Sequence, residues 1–127
     1  MRGPLAQPPV PIAGSRREFF DDLVLDAAEN ISAFLQDERG TSLDAVDFVV
    51  EDMPVFEVGE EPDEVPFGRV EAGTIQTPPT VVIYRRTIEL RSEDGPERAE
   101  LVHDAVVEQV AELLGLDPDD IDPGFDG

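Results

Sequence analysis

Residues 106–121 read VVEQVAELLGLDPDDI. Val106, Val110, Leu113 and Leu114 recur at helical spacing, so the first nine residues form the end of an amphipathic helix. Gly115 stops it, and Leu116 is the apolar residue that commonly follows a left-handed cap. Asp117, Pro118, Asp119 and Asp120 then restart a helix, with a capping residue, a proline in the first turn and two acids at the positive end of the dipole. One turn fits before Pro123.

Upstream, Pro96 sits at a favoured first-turn position, and Ala99 and Val102 extend the apolar stripe back to it. The helix is preceded by TVVIY, Thr80–Tyr84. Consecutive apolar, largely β-branched residues predict a strand buried on both faces. Arg85 and Arg86 end it, and Ile88 and Leu90 begin a short turn or helix. Residues 52–79 are rich in proline, glycine and acids and read as a solvated acidic connector, with one short strand near Phe67–Glu71. Ala45–Glu51 is a further strand that stops at Asp52-Met53-Pro54.

Ser15 and Glu18 form a capping box for a first helix. Its stripe of Phe20, Leu23, Val24, Ala27, Ile31, Phe34 and Leu35 runs to a stop near Gly40. Residues 1–14 carry Pro4, Pro8, Pro9 and Pro11 and read as a proline-rich arm. Two readings stay open: a disordered tail, or an arm that packs Leu5, Val10 and Ile12 onto the domain. The predicted organisation is the arm at 1–14, one domain over 15–122 and a frayed tail at 123–127. The predicted class is α+β (a mixed α/β layer): two main helices on a short mixed sheet, plus a short C-terminal helix.

The chain has 127 residues, enough for one domain. Its formal charge is −21, from 30 acidic and 9 basic residues, every basic one an arginine. Such a surface repels phosphate backbones and anionic lipid, so neither nucleic acid nor membrane is an expected partner. There is no cysteine, which excludes disulfides and thiolate metal sites. No continuous apolar run resembles a signal peptide or approaches the ~20 residues of a membrane helix, so a cytoplasmic location is the default.

Several strings, in this order, resemble the minimal zincin-like metallopeptidases, small bacterial HExxH proteins. FDDLVLDAAENI (Phe20–Ile31) is similar to their opening helix. VDFVVEDMP (Val46–Pro54) is similar to their first strand, and VVIYRRTIE (Val81–Glu89) to their central strand with its Tyr-Arg exit. VVEQVAELLGLDPDDI falls where they carry the zinc-binding helix. The resemblance spans about residues 16–122 and implies the minimal zincin fold.

In the signature H-E-x-x-H, two His one turn apart bind Zn²⁺, and the Glu takes a proton from zinc-bound water. Carried over, the two His positions are Glu108 and Glu112 and the general-base position is Gln109. Gly115 keeps the glycine of the turn, and Pro118 stands at the third-ligand position, flanked by Asp117 and Asp119. A neutral amide cannot act as a general base near pH 7. The resemblance therefore implies a metallopeptidase-family protein that has lost zinc binding and peptidase activity. Its expected role is binding a protein or peptide through the former active-site groove, with no catalytic residue and no cofactor.

Two alternatives stand beside this. A metal-dependent hydrolase would place zinc or another divalent cation among Asp104, Glu108, Glu112, Asp117 and Asp119, since carboxylates suit hard cations. An acidic interaction module would use surface charge alone. Asp104, Glu108 and Glu112 form an i, i+4, i+8 acidic stripe. Its plain reading is a solvated face, or one paired locally, for instance with Arg85 or Arg86. His103, the single histidine, lies off the face of Glu108 and Glu112 and reads as structural. The oligomeric state is open.

Overall fold

The computed structural model describes residues 12–56, 59 and 65–123, with side chains from residue 17 onward. The arm up to Pro11 and the tail from Gly124 lie outside the described residues.

Helix α1 spans Ile12–Arg39. It begins three residues ahead of Ser15, so the Ser15–Glu18 capping box is not its start. No proline occurs between Pro11 and this point, and the helical turn runs back through Ala13. Phe20, Val24, Ala27, Ala28, Ile31 and Leu35 are buried along one stripe. Gly40 ends the helix at φ +65°. Its N–H bonds the Gln36 carbonyl and the Thr41 N–H bonds the Leu35 carbonyl. Glycine adopts this left-handed turn without a Cβ penalty.

Three strands follow: β1 (Asp47–Glu51), β2 (Gly68–Glu71) and β3 (Thr80–Tyr84), in the order β1-β3-β2. β1 runs parallel to β3 with Asp47 opposite Thr80, and β2 runs antiparallel with Gly68 opposite Ile83. The central strand is TVVIY. Val81, Val82, Ile83 and Tyr84 are all buried, so both of its faces are covered. On one face, Val81 and Ile83 join the core formed by both long helices. On the other, Arg69 lies over Tyr84, its guanidinium carbon 5.8 Å from the ring centroid. The same guanidinium bonds the Tyr84 hydroxyl at 2.7 Å, Glu51 at 2.9 Å and Glu71 at 2.7 Å. One arginine thus ties the three strands together.

β3 passes directly into α2 (Arg85–Arg91), and α3 (Gly95–Leu114) follows. Asp94 caps α3 by accepting the Glu97 N–H at 2.8 Å, with Pro96 in the first turn. α3 packs against α1, β2 and β3, and buries Val102, Ala105, Val106, Val107, Val110 and Ala111. This arc is wider than the predicted stripe because the sheet and α1 cover it from two sides; Ala99, Leu113 and Leu114 at its ends are only half-buried. Gly115 closes the helix at φ +71°.

The single turn α4 (Pro118–Ile121) is anchored by buried Ile121. Asp120 meets Arg39 at 3.3 Å, and Asp122 meets His103 Nε2 at 3.1 Å. The predicted α+β class and element order hold. Among the described residues, no helix is long and apolar enough to cross a membrane.

Candidate functional site

Because α3 is buried over so much of its circumference, the side chains it leaves exposed occupy a narrow strip. Glu108 and Glu112 lie on that strip, with half-buried Asp104 one turn before them. At about 100° per residue, i and i+4 side chains share a face, so the two carboxylates project together. Desolvation beside the groove wall, and then the Asp104 carboxylate, raise the pKa of Glu108 above the ordinary carboxylate value. Its carboxylate remains largely exposed, so the shift is softened by solvent.

Gln109 turns toward the sheet. A Cβ placed on Gly68 would press first on the Val82 carbonyl of β3 and would also lie 3.1 Å from Gln109 Cγ, so a glycine lets β2 lie close to both β3 and α3 here. The Gln109 side chain is half-buried and its Oε1 is wholly buried, with no hydrogen-bond partner among the described residues.

A groove of about 290 Å³ opens beside these residues. Ala105, Glu108 and Gln109 of α3 form one wall. Val65, Pro66 and Phe67, which lead into β2, form the other, and Arg91 closes an end. The Arg91 guanidinium stands 5.5 Å from the Phe67 ring centroid, a cation–π contact that orients both. The groove is mixed: an apolar wall, one carboxylate, one arginine and one amide.

The other predicted candidates fall elsewhere. Asp117 starts α4, its N–H donating to Asp120 Oδ2 at 3.1 Å, and Asp119 is exposed on that turn. His103 lies about 140° around α3 from Glu108 and is held by Asp122. Arg85 does not pair with the acidic stripe: it bonds Asp52 and Glu89, each at 2.8 Å. It leaves β3 on the side where β1 ends, so Asp52 is the carboxylate within reach. That bond holds Asp52 below the usual carboxylate range.

The fit to zinc is poor. Among the described residues, no three His, Cys, Asp or Glu side chains gather into a group that can hold a metal. Glu108 and Glu112 offer hard carboxylates with no imidazole beside them, and Gln109 offers no base.

Val65, Pro66, Phe67 and Arg91 were absent from the candidates read from sequence. Residues 65–67 lie inside the acidic, proline-rich stretch 52–79, with Phe67 at the start of the short strand expected there. Their signal was the short apolar run Val-Pro-Phe directly before a strand.

Compared with known proteins, residues 43–125 match the sequence model of the zincin-like metallopeptidases. No curated protein matches the chain.

Proposed function

Since the chain belongs to the zincin-like metallopeptidase family, we propose that it is a non-catalytic member that binds a protein or peptide in the groove beside α3. The observation that carries this reading is Gln109. At the position where the signature has its general base stands a neutral amide, beside Gly68, with its Oε1 buried and without a partner among the described residues. Glu108 and Glu112 replace the two imidazoles. With neither base nor ligand set, water activation by the family mechanism has no group to carry it. The groove persists, and its apolar wall and polar rim suit a side chain of an extended peptide.

Two experiments test this. The triple variant Glu108→His, Gln109→Glu, Glu112→His should bind zinc, because α3 and Gly115 retain the geometry. If it does not, the motif is misplaced. A displayed peptide library should yield ligands that Glu108→Arg weakens about tenfold or more, with no fall in the melting temperature. Ligands indifferent to Glu108→Arg, and lost at moderate salt, would instead favour recognition by surface charge alone.

A further inference from the structure

The groove lies beside β2. The opposite edge of the sheet carries a second surface. The Asp47 N–H donates to the Pro79 carbonyl at 2.9 Å, and β1 pairs with β3 in parallel register. Backbone groups alternate sides along a strand, so those of Phe48 and Val50 point away from β3. Among the described residues, no strand pairs with that side.

Above this edge, α1 and β1 leave a cleft of about 270 Å³, lined by Asp21, Val24, Leu25, Phe48 and Val50. Leu25 is 52% exposed, and Val49 on the other face of β1 is 39% exposed. Open edges invite pairing, and proteins commonly guard them with lysine, proline or a bulge. β1 has none of these. Its guards are Asp47 and Glu51, both acidic, Asp47 exposed and Glu51 already engaged by Arg69. Antiparallel pairing of two copies about Val49 would set Asp47 against Glu51, on chains of charge −21 each. The edge therefore rejects its own copy and favours a cationic strand.

We propose that β1 accepts a basic, amphipathic peptide strand, added antiparallel at its free edge. Apolar side chains of that strand would lie opposite Phe48 and Val50, against Leu25. Its arginines or lysines would lie on the other face, one of them opposite the exposed Asp47. In an antiparallel ladder, directly opposed residues share a face, so the apolar residues' N–H groups are the ones that bond Phe48 and Val50.

The probe is a nine-residue acetylated peptide alternating valine and arginine, titrated into the isotope-labelled full chain and followed by amide NMR. Shifts should centre on Phe48 and Val50. N-methylation of the valine amides should weaken binding about tenfold or more, and N-methylation of the arginine amides should not. Asp47→Arg should weaken the parent peptide to a similar degree while leaving the melting temperature unchanged. Equal binding of both N-methylated forms, shifts confined to the acidic helix faces, or no shift at peptide concentrations on the order of millimolar would each overturn the proposal.

Discussion

Gly68 and Gln109 are in contact across the interface of β2 and α3: a Cβ at 68 would press on Gln109 Cγ at 3.1 Å and on the Val82 carbonyl more closely still. Glycine at 68 is therefore demanded first by the neighbouring strand β3 and second by the Gln109 side chain of α3. Gly68→Ala should destabilise the protein by about 1–3 kcal/mol, the usual cost of overpacking, outweighing the smaller gain from a stiffer unfolded chain. Urea denaturation checks this. An unchanged midpoint would show that β2 is not packed as closely against Val82 and Gln109 as described.

Glu108 titrates above its ordinary value. Between its unfolded and folded pKa the native state holds more protons, so stability falls as pH rises through that window. Glu108→Gln should therefore be neutral well below the window and stabilising at pH 7. Relief of the repulsion with Asp104 and Glu112 amounts to about 0.2–0.5 kcal/mol for each pair. Thermal melts of both proteins across pH 3–8 measure the difference. A variant less stable than the parent at pH 7 would mean that the Glu108 carboxylate has an attractive partner.

Asp94 holds the start of the longest core-facing segment of the second half by accepting the Glu97 N–H. Asp94→Ala should cost about 0.5–2 kcal/mol. Asp94→Ser should recover most of it, which separates the hydrogen bond from general surface charge. Equilibrium unfolding of the two variants decides the point.

Arg69 reaches Glu51, Glu71 and the Tyr84 hydroxyl at once. Its guanidinium is partly solvated, so its substitution by methionine should cost only about 1 kcal/mol. The loss should shrink as salt screens the carboxylates left behind. Unfolding at low and high ionic strength gives both numbers.

The helices and strands were legible because their signals are local. Val102, Val106 and Val110 repeat at helical spacing, TVVIY is apolar on both faces, and Gly40 and Gly115 terminate helices at positive φ. Fold membership followed from the order of those elements. The groove was less legible because its walls come from distant segments. Gln109 could be singled out from its position in the motif, but its contact with Gly68 depends on β2 pairing beside β3. Phe67 and Arg91 meet only once β2 and α2 are packed, and a proline-rich, acidic surrounding disguised the first. Arg85 was one of several partners open to the acidic stripe, and strand geometry delivers it to Asp52 instead. Ser15 looked like a helix start, but α1 already begins at Ile12, ahead of the capping box that Ser15 and Glu18 spell.

On the function proposed above, this zincin-like chain works without a metal. The most direct measurement is elemental analysis of the purified protein before and after EDTA treatment, paired with its melting temperature in each state and with added zinc. Metal-free protein, with a melting temperature indifferent to zinc and EDTA, is the result predicted. Stoichiometric metal, with a melting temperature that falls on chelation, would contradict the account, because a ligand that binds only the native state stabilises it.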